Sequence, residues 1–193
     1  MSKDLIRSSL VVVVLTVLLG LAYPLAMTGI AQVAFSGKAN GSLVHRDGKV
    51  VGSTLLGFPQ KGARYFQPRP SATGYSATVT YFANHGPNQT STRDLTRQNL
   101  DAYVKREQPY DRTLTAGQVP ADAATFSASG VDPDISKANA AIQAHRVAAA
   151  RHLPLDRVNA LVKKHTDGRG LGIFGAPGVN LTELNRALDQ VTR

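Results

Sequence analysis

The hydrophobic pattern divides the chain sharply near its start. From Leu10 to Ala34 the sequence reads LVVVVLTVLLGLAYPLAMTGIAQVA, 25 residues without a charge. As a helix at about 1.5 Å per residue this run reaches about 37 Å, enough to cross a hydrocarbon layer of about 30 Å with some tilt. A cleaved secretory signal has a shorter apolar stretch, about 7–15 residues, and a small-x-small cleavage site. Ala34-Phe35-Ser36 is a weak match to such a site. The run is therefore read as a retained transmembrane helix over residues 10–34, with a cytoplasmic stub at 1–9 and an extracytoplasmic domain at 35–193. Lys3 and Arg7 on one side face Lys38, Arg46 and Lys49 on the other, so basic residues do not set the orientation. It follows instead from the form of an uncleaved signal anchor, a short stub and a long apolar run ahead of a long domain.

Beyond the span the pattern changes period. Residues 41–56, GSLVHRDGKVVGSTLL, alternate loosely around Asp47-Gly48, a two-residue turn signal that predicts a β-hairpin. Residues 57–92 are rich in Gly, Pro, Ser, Thr and Asn and predict irregular chain with short strands at most. Helices follow. Leu100, Tyr103 and Val104 share a face of a helix at about 94–107, with Ser91 and Thr92 as candidate caps. Ser136 can cap the alanine-rich KANAAIQAHRVAAARH, in which Ile142, Val147 and the alanines form a thin apolar face. Pro154 suits the first turn of a helix whose stripe is Leu155, Val158, Leu161 and Val162, ended by Gly168. In the last helix Asn180 and Glu183 have capping-box spacing ahead of Leu181, Leu184, Leu188 and Val191. Strands early and helices late predict a single α+β domain behind the membrane helix.

Composition narrows the chemistry. The formal charge is +9, but the basic residues are scattered, with no run of five like charges, which argues against nucleic acid as a partner and for a solvated basic face. The absence of cysteine excludes disulfides, cysteine-ligated metals and thiol nucleophiles. Gly170, Gly172 and Gly175 formally match G-x-G-x-x-G, yet a helix precedes them and Pro177-Gly178 follow, so the segment is read as a turn between two helices. Gly37-Lys38 and Gly48-Lys49 lack the hydroxyl residue of a phosphate loop. The five histidines contain no zinc-binding helical pair, and Asp132 and Asp134 are the kind of neighbours that organise turns and caps. No catalytic set is assembled, and the chain is read as a non-enzyme with no cofactor of its own.

The uncommon segments, taken in order, are Tyr23-Pro24-Leu25, Ala39-Asn40-Gly41-Ser42-Leu43, Gly52-Ser53 with Leu56-Gly57, YFQPRPSAT from Tyr65, TFSASGVDPDIS from Thr125, QAHRVAAARHL from Gln143 and GAPGVNLTELNRALD from Gly175. Their order and spacing resemble the KdpC family, the C subunits of bacterial high-affinity potassium-transporting P-type ATPases. Residues 78–93 depart from the commoner family pattern. The resemblance implies an accessory subunit of the bacterial cytoplasmic membrane, with partner subunits that conduct potassium and hydrolyse ATP. It also implies assembly or stabilisation of the pump and promotion of ATP use by the catalytic subunit, a role linked to the residue here numbered Gln143. On physical grounds a domain outside the membrane does not touch cytoplasmic ATP, and a helix-borne Gln143 is more simply a packing or hydrogen-bonding residue. The alternative function is a membrane-anchored extracytoplasmic binding module of the cell envelope.

Two groups are candidate contacts. Ala22, Ala26 and Gly29 lie at i, i+4 and i+7 beside Pro24, a small-residue face suited to close helix packing in lipid. Tyr65, Phe66 and Arg69 are residue types enriched in interface anchors, stiffened by Pro68 and Pro70. For these three the other reading is internal, with the aromatics in the core and Arg69 bonded to backbone carbonyls.

Overall fold

The computed structural model describes residues 2–46, 48–76, 78–79, 86 and 88–191. It forms two compact units, residues 1–51 and 52–193. In the first, α1 (Ser2–Val17) runs through one π-helical turn, Leu18–Ala22, into α2 (Tyr23–Ala34). Ser2–Ala34 is long and apolar enough to cross a membrane, and none of its apolar window is buried. The helix starts well before Leu10 and includes Lys3, Asp4 and Arg7, because Lys and Arg extend a helix as readily as Leu and an acidic residue suits its first turn. A short α3 (Ser36–Ala39) leads to β1 (Leu43–Arg46) and β2 (Lys49–Ser53), which pair as the hairpin pattern predicts. Of its turn, Asp47 lies outside the described residues, and Gly48 takes the left-handed φ of +76° such turns demand.

The second unit holds α4 (Thr90–Glu107), a 3-10 turn (Ala116–Gln118), α5 (Ala121–Ala124), β3 (Asp134–Ile135), α6 (Lys137–Arg151), α7 (Leu155–Lys164), β4 (Thr166–Asp167), β5 (Gly178–Asn180) and α8 (Leu181–Val191). The three late strands form an antiparallel sheet in the order β3-β5-β4, with Ile135 opposite Val179 and Thr166 also opposite Val179. Strands two or three residues long carry no alternation to detect, which is why the sequence pattern missed them.

Several boundaries move for identifiable reasons. Helix α4 begins at Thr90 with Gln89 as N-cap, so Ser91 and Thr92 lie inside it. The Gln89 carboxamide accepts from Gly86 N–H at 3.2 Å, and Thr92 Oγ1 donates back to the Gly86 carbonyl at 2.9 Å, anchoring the entry one turn earlier than expected. Helix α7 stops at Lys164, four residues before Gly168, because Thr166 and Asp167 pair with β5. The glycine-rich segment after it therefore links two paired strands and not two helices; it closes on itself through reciprocal 2.8 Å bonds between Gly170 and Phe174. Ser136 caps α6 as expected, accepting from Asn139 N–H at 3.1 Å.

The core lies between α6, α7, α8 and β5. Ala140, Ala144 and Val147 of α6 are fully buried, as are Val158, Val179, Leu184, Leu188 and Phe66. Small side chains on α6 let α7 approach closely, consistent with the ridge-in-groove packing of short-side-chain helices. The irregular segment is threaded tightly over this core at Gly57, where a Cβ would lie 2.1 Å from the Asp132 carbonyl oxygen. Gly57 N–H donates to the Val131 carbonyl at 2.8 Å, so backbone meets backbone and no side chain fits between.

Replacing Leu184 with Ala should cost about 2–5 kcal/mol by the combined transfer and cavity terms, whereas Leu171→Ala, at a position 92% exposed, should cost less than about 0.5 kcal/mol. Urea unfolding of the full chain in detergent micelles, followed by near-ultraviolet dichroism, measures both.

Candidate functional site

The segment at residues 63–67, a turn at Ala63 and Arg64 followed by irregular chain, sits against α6 and α8 without a neighbouring strand among the described residues, and every carbonyl in it is taken by a helical side chain. Arg146 Nη1 donates to Ala63 O at 2.6 Å and to Tyr65 O at 2.9 Å. Arg151 Nε donates to Arg64 O at 2.6 Å. Asn185 brackets Phe66, accepting from its N–H at 2.9 Å and donating to its carbonyl at 3.0 Å. Gln143 does the same for Gln67, at 2.7 and 3.0 Å. Two carboxamides thus present to consecutive residues the donor and acceptor that a β-strand would otherwise supply. Pro68 and Pro70, which follow it, have no N–H to offer a neighbouring strand.

Behind this clamp lies a buried polar layer. Gln143 also donates to Asn139 Oδ1 at 2.9 Å and accepts from Arg146 Nη2 at 2.9 Å, so two donated and two accepted bonds use its whole capacity. The residue is 1% exposed. Asn139 Oδ1 receives a second bond, 2.8 Å, from the Tyr103 hydroxyl. Burial, reinforced by the neighbouring Glu107 carboxylate, pushes the Tyr103 hydroxyl well above its ordinary pKa and keeps it a donor. The charge of Arg146 is met by Glu107, whose oxygens lie 2.9 and 3.1 Å from Nε, and Arg106 reaches the same carboxylate at 2.7 Å. On the other side Arg151 pairs with Asp189 at 2.9 Å and lies 4.9 Å over the Tyr65 ring.

The structure brings Tyr65, Phe66 and Gln143 into one constellation. Phe66 is fully buried in the core and Tyr65 is half-buried, its hydroxyl 3.4 Å from Asp189 Oδ2. Arg69 pairs with Asp132 at 3.1 Å and donates to the Phe126 carbonyl at 3.2 Å. Asp132 also accepts from Asp134 N–H at 3.0 Å, the turn-organising role expected of these neighbours. Ala22, Ala26 and Gly29 belong to the other unit, all exposed, with Ala22 closing the π turn. The sequence reading missed Glu107, Asn139, Arg146, Arg151 and Asn185. A signal for the first turns of α6 was present: Asn139, Gln143 and Arg146 recur at i, i+4 and i+7 beside the alanine stripe, placing large polar side chains at the edge of a buried face.

Asp134 is a separate electrostatic feature of the small sheet. Burial raises its pKa, and the carboxylates of Asp132, Asp167 and Glu183 add to the rise against a hydrogen bond from Asn180. A carboxyl that holds its proton more tightly when folded stabilises the fold at low pH, and that contribution is lost as pH rises through the folded pKa. Asp134→Asn keeps an acceptor for Asn180 and removes the titration. Its melting temperature relative to the parent should therefore rise from about pH 4 to pH 7, measured as the difference between the two chains.

Comparison with known proteins gives a consistent result. The family described as KdpC, K+-transporting ATPase, c chain, matches residues 5–190. A protein named potassium-transporting ATPase KdpC subunit from Mycobacterium tuberculosis strain H37Rv is 42% identical over 99% of this chain and 100% of its own length. Proteins of the same name from Koribacter versatilis and Dechloromonas aromatica are 44% and 45% identical, over 98% and 99% of this chain and 95% and 100% of their own.

Proposed function

The chain belongs to the KdpC family, the c chains of K+-transporting ATPases, and from that premise we propose that it is a single-pass accessory subunit of a potassium uptake pump. Its helix spans the bacterial cytoplasmic membrane with the N-terminus inside, and the domain beyond it stands on the extracytoplasmic side. Potassium and ATP are handled by partner subunits, one conducting the ion and one hydrolysing the nucleotide. This chain assembles and stabilises the complex, and it promotes ATP use through that assembly and without touching the nucleotide.

The observation that supports this reading is where Gln143 spends its hydrogen bonds. All four go to Gln67, Asn139 and Arg146 inside the domain, leaving no valence for a ligand. An effect of Gln143 on ATP use then runs through the clamp on residues 63–67. Asn185, on a different helix, holds the adjacent residue by the same pair of bonds.

Gln143→Leu and Asn185→Leu should each destabilise the chain by about 2–5 kcal/mol, since each strands a buried N–H and C=O. Each should also reduce recovery of the intact pump, with potassium-stimulated ATPase activity falling in the same proportion. Loss of ATP affinity in the Gln143 variant alone, or photolabelling of this chain by an azido-ATP probe in the complex, would contradict the structural role.

The placement of the domain has its own test, because the chain has no cysteine to give background. Ala128 is exposed. Ala128→Cys should react in intact spheroplasts with a membrane-impermeant maleimide; reaction only after lysis would reverse the orientation.

A further inference from the structure

The π turn places an unusual demand on the membrane helix. In an α-helix the Leu19 carbonyl would accept from Tyr23 N–H, four residues on. Here the Tyr23 N–H goes to Leu18 O. The next residue, Pro24, has no N–H to give in its place. Leu19 O is therefore left without its i+4 and i+5 donors, and no described side chain of this helix turns to it. Thr16 bonds Val12 O and Thr28 bonds Pro24 O, each at 2.8 Å.

Leu19 lies nine residues inside the apolar run that begins at Leu10, about 13 Å from its nearer end. Water does not serve backbone groups at that depth, and a carbonyl stranded in hydrocarbon costs several kcal/mol. The carbonyl of residue 19 is directed along the axis toward the next turn, where Ala22 presents a single methyl group. Ala26 and Gly29 continue that small-residue face, and a Cβ at Gly29 would meet nothing within 4 Å.

We propose that Leu19 O is the acceptor for a side-chain donor, an O–H or N–H group, carried by a membrane helix of a partner subunit, with Ala22 and Ala26 allowing the close approach this bond requires. The inference rests on the functional reading above and specifies the chemistry of its membrane contact. A donor buried in lipid and a carbonyl orphaned in lipid each lack a partner alone, so the pair gives specificity that van der Waals packing of apolar helices does not.

The chain's own habit supplies the test. A threonine at position 23 would donate to Leu19 O as Thr16 and Thr28 do to the carbonyls four residues before them, whereas valine has the same shape without the hydroxyl. Tyr23→Thr and Tyr23→Val in the full chain, produced with the partner subunits, are compared by recovery of those subunits on an affinity tag after detergent extraction. The threonine variant should recover about three- to tenfold less than the valine variant, the range that one intramembrane hydrogen bond commands. Benzoylphenylalanine at Ala22 should crosslink to a larger membrane subunit more strongly than at Gly20, on the opposite side of the helix. Equal recovery of the two variants, or crosslinks from Ala22 to a second copy of this chain alone, would overturn the proposal. Failure of the parent chain to recover any pump subunit would instead overturn the functional reading, and this inference with it.

Discussion

Residues 63–67 form a turn and irregular chain that no described strand pairs, and α6 and α8 are arranged around that fact. Buried backbone must be paired, and a strand normally finds its partners in a neighbouring strand. Here five consecutive carbonyls turn instead to Arg146, Arg151, Asn185 and Gln143. Helices α6 and α8 therefore carry two duties at once, an apolar stripe for the core and a polar edge for this segment. The alanines of α6 follow from the first duty under the constraint of the second, because small side chains bring the helix axis near enough for short carboxamides to reach a backbone.

A clamp built from arginines brings charge into the interior, and its cost is contained by geometry. Arg146 has a side chain 2% exposed, yet four of its five N–H groups are directed at Glu107, Gln143 and two carbonyls. The planar fork of a guanidinium allows this; a lysine at the same place would offer a point charge and fewer directed donors. Glu107 neutralises the site and is linked through Arg106 toward solvent, where the Arg106 side chain is 41% exposed. Buried pairs of this kind add little net stability over apolar packing, but removing one member strands the other. The network thus acts mainly by specifying one placement for residues 63–67.

What was legible in the sequence follows from the same division of labour. The membrane helix, the hairpin and α6 to α8 announce themselves by period, and Ser136 caps α6 where the residue types say it should. Asn180 delivers half of its capping box, accepting from Glu183 N–H at 3.2 Å, while the Glu183 carboxylate turns to His165 at 3.5 Å and the Asn180 N–H to the His165 carbonyl at 3.1 Å. A tertiary partner displaced the local one. The clamp was not legible, because its partners are 76 to 119 residues apart and join side chain to backbone, a pairing that leaves no trace in residue type at the backbone end. Phe66 shows the same limit: aromatic and proline-flanked, it has the composition of an interface anchor, and its complete burial is decided by Asn185 holding the backbone on either side of its ring.

The two units treat backbone polarity in opposite ways, and the contrast separates structure from assembly. In the clamp of the second unit the carbonyls of an exceptional segment are all met from within, so a residue such as Gln143 has nothing left to offer a ligand. In the apolar helix one turn of π geometry followed by a proline leaves Leu19 O unmet in a solvent that cannot meet it. A chain that served merely as a tether would gain nothing from such a turn, since an α-helix without proline satisfies its interior carbonyls at no cost. A subunit whose helix must recognise another helix does gain, because in lipid the unmet group is the feature that distinguishes one apolar surface from the next. Specificity of assembly then resides where the chain is chemically incomplete, and rigidity where it is complete.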